Sequence, residues 1–227
     1  MATLLLRLEA PMQSWGVQSR YTIRDTSREP SKSGLVGLIC AALGRPREAD
    51  ISDLAALRMG VRVDREGRLA WDYQITQRVL KANLSGIKTS EVSTRYYLAD
   101  AVFLAGLEGD AGILKSVVDA ILAPRWVIYL GRKAFVPAKP LVLPEGFRND
   151  ECLQSALENY PYLAARQGAD LPEYLRAVVD DEAGAESRPD SPLSFQNRSF
   201  STRRVRTYLI KRPEQVLEEE AACTSAD

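Results

Sequence analysis

Ser31, Lys32, Ser33 and Gly34 stand where a helix begins, and a helix start is where a chain can hold a phosphate. The first-turn N–H groups have no partner within the helix, the macrodipole is positive there, and Lys32 adds a full charge. The helix body is apolar on one face, with Leu35, Leu38, Ile39, Ala42 and Leu43 at i, i+3, i+4, i+7 and i+8. Ser31 or Ser33 is placed to cap it, and Gly44 followed by Pro46 to stop it. An ordinary capped core helix that binds nothing carries the same signature, so on this stretch alone both readings stand.

Other chemistry is excluded by what is missing. The 227 residues contain no histidine. This removes the side chain best suited to proton transfer near neutral pH and the commonest transition-metal ligand. A Ser-His-Asp triad, a Cys-His pair and a histidine ribonuclease are therefore ruled out. Cys40, Cys152 and Cys223 lie far apart with no C-x-x-C pair, which points to a reducing compartment, the cytoplasm, and to no structural zinc. No apolar run reaches the roughly 20 residues of a membrane span, and the N-terminus lacks the basic start of a signal peptide. The net charge is zero but segregated. Residues 198–212 hold six basic side chains and no acid, residues 149–190 hold ten acids against three arginines, and residues 213–227 hold five acids and no base. A basic binding surface is compatible with such a neutral average.

Residues 3–9 alternate as a strand. A polar loop with Arg20, Arg24 and Arg28 follows, at about 20 residues too long for a bland connector. After the first helix, a short helix is expected over residues 51–59 with Ser52 as cap. Residues 61–64 then read as a strand, turned at Gly67, with 69–75 as its hairpin partner. Residues 78–95 are basic and poor in core residues, so they read as a projecting loop or long hairpin, and the apolar run 96–105 reads as a central strand. Asp110 is placed to cap an amphipathic helix ended by Pro124, and a compact strand-like segment, 124–133, mixes aromatic, glycine and basic residues. Further on, residues 152–160 suggest a helix, 174–179 a strand, 180–194 an acidic loop, 203–211 a last strand and 214–227 a frayed acidic tail. The expected class is α+β: a ferredoxin-like (RRM-like) β-α-β-β-α-β plan, an antiparallel sheet with helices on one face, followed by a less regular β-containing C-terminal part.

Four segments in order carry a family resemblance: Met12-Gln13-Ser14-Trp15-Gly16, Pro30-Ser31-Lys32-Ser33-Gly34-Leu35-Val36-Gly37-Leu38, Arg95-Tyr96-Tyr97-Leu98-Ala99-Asp100, and Pro124-Arg125 through Tyr129-Leu130-Gly131-Arg132-Lys133. Over residues 3–140 the chain resembles the CasD family, RAMP-type proteins that cap the backbone of the type I-E CRISPR Cascade surveillance complex and bind the 5′ handle of its RNA. The resemblance implies a palm over 1–145 with 75–97 as a β-hairpin thumb, and 146–227 as an extension packed on the palm. It implies a non-catalytic role in antiviral defence, with CRISPR RNA as the direct partner and target DNA reached only through the complex. It also implies contact with the adjacent backbone subunit and the large subunit, no cofactor and no membrane. Relatives in type I-C systems cut RNA with a histidine among their catalytic residues, and this sequence has none. A metal-independent endoribonuclease using Tyr or Lys remains the alternative activity, though each would need a large downward pKa shift; a metabolite-sensing domain is a third reading.

The candidate RNA-binding residues are Gln13, Ser14, Trp15, Ser31, Lys32, Ser33, Lys88, Arg95, Arg125, Tyr129, Gly131, Arg132 and Lys133. Single-stranded RNA needs phosphate donors, stacking faces and close backbone approach, and these residue types supply them. Each has a plainer reading. Trp15 and Trp126 fit a core as well as a stacking platform, Arg132 and Lys133 fit a solvated turn, and Arg203, Arg204 and Arg206 fit an exposed strand face.

Overall fold

The computed structural model describes residues 1–17, 22–164 and 170–217. Among these, no helix is long and apolar enough to cross a membrane. In chain order the elements are β1 (Ala2–Glu9), β2 (Met12–Gln13), β3 (Ile23–Arg24), α1 (Lys32–Leu43), α2 (Ser52–Ala55), β4 (Arg58–Arg65), β5 (Arg68–Leu80), β6 (Ile87–Ala99), β7 (Val102–Gly109), α3 (Ala111–Leu122), β8 (Val142–Asn149), α4 (Leu153–Asn159), β9 (Tyr174–Asp180), β10 (Glu186–Ser194) and β11 (Ser199–Lys211). Seven strands form one antiparallel sheet in the order β10-β11-β9-β4-β7-β1-β8. The protein is a mixed α+β fold, mostly sheet.

The sheet is buried on both faces. Leu4, Leu6 and Leu8 of β1 pack with α1 and α3, while Leu5 points the other way onto Leu153 and Leu157 of α4. A strand covered on both sides reads as continuous apolar sequence, as β1 does. The two helices of the expected plan, α1 and α3, share one face, and α4 of the C-terminal part covers the other. The C-terminal strands are also more regular than expected. β9 pairs with β4, Val61 opposite Val178, and carries β11 and β10 outward in the same sheet.

α1 starts and stops where its sequence indicates. Ser31 Oγ accepts from Gly34 N–H at 3.2 Å, and Gly44 adopts φ 70°, closing the last turn in the left-handed region. Asp110 caps α3 through Ile113 N–H at 3.0 Å. The helix expected over 51–59 is only Ser52–Ala55, with no side-chain cap bond. Leu57, Met59, Val61 and Val63 all point into the core, a period of two that wins over the helical spacing and starts β4 early.

Other boundaries shift for equally local reasons. The run 96–105 is two strands, divided at Asp100, whose φ of 58° redirects the chain from the ribbon into the main sheet. β5 does not return on β4. It pairs with β6 along a two-stranded ribbon from Arg68↔Ala99 to Leu80↔Ile87, with β2 and β3 also on β6. The fourth strand of the expected plan is β8, not 124–133. That segment is a strap over α1, held by Arg125 N–H to Ala42 O (2.9 Å) and Trp126 N–H to Ala41 O (3.1 Å). The acidic stretch read as a loop contains β10. Its Pro189 and Pro192 are tolerated because β10 is an edge strand with register breaks at 188/191 and 192/194. Of the expected acidic tail, residues 218–227 lie outside the described residues, as do Arg20 and Cys223.

Candidate nucleic-acid interface

The first strand's exit is structural. Gln13 is fully buried and donates Nε2–H to Leu8 O (3.1 Å) and Ala101 O (2.8 Å), while its Oε1 accepts from Trp15 Nε1–H at 3.3 Å. Ser14 donates Oγ–H to Tyr96 O at 3.2 Å. Trp15 is 1% exposed and belongs to the main core. Truncating such an indole costs about 3–5 kcal/mol in stability, so its packing role outweighs any stacking role. These three residues hold the foot of the ribbon against β1.

The helix start is also occupied. Asp190 of β10 accepts the Lys32 N–H at 2.8 Å, the place expected for a phosphate oxygen. Lys32 Nζ pairs with Asp180 at 3.2 Å and the residue is buried. Arg203 binds both carboxylates, Asp190 through Nε at 2.7 Å and Nη2 at 3.0 Å, and Asp180 through Nη1. The expectation of an open phosphate site at Ser31 and Lys32 is therefore corrected: the chain supplies its own anion there. Ser33 lies at the edge of this network, its Oγ 3.5 Å from Ser31 Oγ, and reaches the neighbouring cleft.

That cleft is lined by glycines, aromatics and arginines. Its larger lobe, about 740 Å³, runs over Gly34 and Gly37 of α1 between Trp126, Tyr129 and Gly131 on one side and Phe195, Arg198 and Phe200 on the other. A second lobe of about 330 Å³ shares Gly34, Gly131, Phe195 and Phe200, and continues to Ser14, Arg24 and Arg132. Gly131 has φ 91°, and a Cβ there would sit 1.7 Å from Ser14 O. Its missing side chain lets two segments of this chain meet, Ser14 N–H donating to Leu130 O at 3.1 Å. Arg125 lays its stem on Gly44, where an added Cβ would fall 2.1 Å from its Cδ, and leaves its head exposed. Lys133 is exposed beyond the turn.

Arginines gather where the cleft meets the ribbon. Arg24 and Arg95 are register partners on β3 and β6. Arg132 donates Nη2–H to Tyr96 O at 2.8 Å and to Arg24 O at 3.4 Å, and stacks over Phe135 at 5.4 Å. Burial, then the charges of Arg95 and Arg24, depress the Arg132 pKa below its ordinary value, with Asp72 the carboxylate that opposes them. A guanidinium stays protonated under such a shift, so the crowd is a standing positive field. Lys88 lies farther out on the ribbon, paired with Glu91.

The structure thus gathers Ser33, Tyr129, Gly131 and Arg132 along one cleft, with Arg95 at its end. It sets Gln13 and Trp15 beneath that cleft as support, and keeps Lys88 apart from it. The far wall, Phe195, Arg198 and Phe200, does not stand out in the sequence, because the prolines of β10 give the pattern of a loop. The signal was present as two aromatics flanking a polar Asn197-Arg198 turn just before the alternating run of β11. Arg203, Arg204 and Arg206 are not a free basic face: Arg204 donates to Gly184 O at 2.7 Å, and Arg206 pairs with Asp181 at 3.2 Å. Among the described residues no cluster of His, Cys, Asp and Glu is arranged to hold a metal ion.

The mixed α+β fold, mostly sheet, is that of a known class of protein. Residues 3–206 match the model of the CRISPR-associated protein (Cas_Cas5) family, and the chain belongs to that family. Among its relatives is the "CRISPR system Cascade subunit CasD" of Escherichia coli (strain K12). It is 32% identical over 225 residues, covering 92% of this chain and 95% of the relative. Two solved structures are also similar. One described as "Crystal structure of Cas protein" has 44% identity and a TM-score of 0.76, covering 96% of this chain and 98% of the other. A chain from a "CRISPR RNA-guided surveillance complex" has 34% identity and a TM-score of 0.81, covering 96% and 95%.

Proposed function

We propose that this protein is a non-catalytic, RNA-binding subunit of a cytoplasmic CRISPR surveillance complex of the Cascade type, gripping the 5′ handle of the CRISPR RNA and capping one end of the backbone. In this reading β8-β1-β7-β4 with α1 and α3 form a ferredoxin-like palm, their order following the 4-1-3-2 pattern, and the β5–β6 ribbon is the thumb. The adjacent backbone subunit and the large subunit are its protein partners. Family membership and the likeness to a Cascade subunit and to a surveillance-complex chain support the assembly role.

The observation that carries the RNA reading is the joining of the Arg24–Arg95–Arg132 crowd to an aromatic-lined cleft. Phosphates are drawn to the crowd, and bases find π faces along the cleft. Arg132, Arg95, Tyr129 and Ser33 act directly, with Gln13, Ser14, Trp15, Ser31 and Lys32 holding the scaffold. Lys88, Arg125 and Lys133 offer outer phosphate contacts. The absence of histidine fits a subunit that holds RNA and leaves cutting to another.

The test is to purify the complex assembled with this chain and sequence the RNA it retains. Wild type is expected to hold small RNA of one 5′ end, and an Arg95→Glu/Arg132→Glu protein at least tenfold less. Equal retention by the two would remove the proposed grip. Cleavage of repeat RNA by the isolated chain would overturn the non-catalytic assignment.

A further inference from the structure

Helix α1 carries two interior glycines in the cleft, and packing accounts for one of them. Glycine inside a helix is less stable than alanine. At Gly34 a Cβ would lie 2.8 Å from Trp15 Cε3, so the buried indole demands a glycine. At Gly37 the nearest heavy atom to a Cβ would be Phe195 Cζ at 3.6 Å, an ordinary contact. The described fold gains nothing from glycine there, yet the helix keeps a notch open in the floor of the larger lobe.

What faces that notch is suited to a planar, anionic chain. Phe195 packs against the core from the cleft wall, while Phe200 is 39% exposed and Trp126 46% exposed. Arg198 and Arg47 are exposed at the rim, with Glu48 the one carboxylate of the lining. Arg45 also lines the cleft but is bound bidentately by Asp53, both bonds 2.6 Å, so its charge is already paired. The turn between β10 and β11 is braced, because Asp190 and Arg203 tie the two strands to the start of α1. The lobe shares Gly34, Gly131, Phe195 and Phe200 with the one that reaches Arg24 and Arg132, whose lining holds one carboxylate, Asp25, against these two arginines.

Building on the reading of the cleft as an RNA site, we propose that the notch over Gly37 is a nucleobase slot. One unpaired base of the bound RNA lies over Gly37 with its face on the Phe200 ring, and Arg198 meets the adjoining phosphate. Stacking on an aromatic is tolerant of base identity because every base has a π face, and the floor admits the base because it lacks a side chain. Ser31 and Lys32 become positioning residues, holding the β10–β11 turn through Asp190 and Asp180.

The test uses the assembled complex with RNA carrying 4-thiouridine at single positions, photocrosslinked and read by mass spectrometry, beside affinity and melting measurements. In wild type, one position is expected to crosslink to peptide 195–200. Phe200→Ala, an exposed ring, lowers affinity about tenfold and loses that crosslink. Gly37→Ala raises the melting temperature by about 1–4 °C, and Gly37→Leu, which fills the notch, lowers affinity at least tenfold. Wild-type affinity in Phe200→Ala together with crosslinks confined to other segments would overturn the slot while leaving the RNA reading intact. A wild-type complex that retains no RNA would instead overturn the RNA reading itself, and the slot with it.

Discussion

Helix α1 runs through two electrical environments within a few residues. Its first turn carries a lysine and two serines, and is closed by carboxylates of this same chain: Asp190 on the Lys32 N–H and Asp180 on the Lys32 ammonium. One turn further, the helix faces a cleft whose far end holds Arg24, Arg95 and Arg132, where burial first, and then the charges of Arg95 and Arg24, depress the Arg132 pKa. Both regions look basic along the sequence. The difference lies in where the acids fall once the sheet closes, since β9 and β10 deliver theirs to the helix start. The net charge of a segment therefore says little about the charge it offers to a ligand.

Removing the seal has the largest expected effect. Asp190→Ala takes away the acceptor of the Lys32 N–H and two of Arg203's bonds, leaving Arg203 buried beside Asp180. Breaking a buried pair by deleting one partner costs about 3–5 kcal/mol. Urea unfolding of Asp190→Ala is expected to show that loss with an unchanged slope. A loss under about 1 kcal/mol would mean the acids do not close the helix start, and the contrast along α1 would fall.

The contrast also explains what the sequence could reveal. Caps, stops and amphipathic faces are local, so Ser31, Gly44 and Asp110 announced α1 and α3 correctly. The Lys32–Asp180 pair joins residues 148 positions apart, and no spacing rule reaches that far. The sequence leaves Trp15 open between core and stacking platform, and the choice falls to the core because Gly34 leaves room for the ring. The cleft's far wall was hidden by Pro189 and Pro192, which suggest a loop anywhere except at an edge with broken register.

A salt titration sharpens the same contrast with a smaller signal. For single-stranded nucleic acid, each phosphate contact contributes about 0.7 to the slope of log affinity against log salt. Arg132→Ala is expected to reduce the slope of RNA binding by about that much. Lys32→Met is expected to destabilise the fold yet leave the slope unchanged, since its charge is already spent on Asp180. A reduced slope in Lys32→Met and none in Arg132→Ala would reverse the assignment of the two regions.

The smallest effect concerns Cys40, which lines the same cleft from α1 and yet is buried. Burial pushes its thiol up to about 11, against the pull of the Arg45 charge and with some help from Asp53. The thiolate is the reactive species, so at pH 8 only about one Cys40 in a thousand is ionised. In a Cys152→Ser/Cys223→Ser protein, iodoacetamide is expected to modify Cys40 slowly at pH 8, the rate rising about tenfold per pH unit toward pH 11. The linkage runs the same way. The folded thiol holds its proton more tightly than the unfolded one, so its contribution to stability is full below the ordinary thiol range and is lost as pH rises through about 11. Fast labelling at neutral pH would show that the open half of α1 admits solvent to its packed side. The notch would then extend past Gly37, and the boundary between the sealed and open parts of the helix would have to be redrawn.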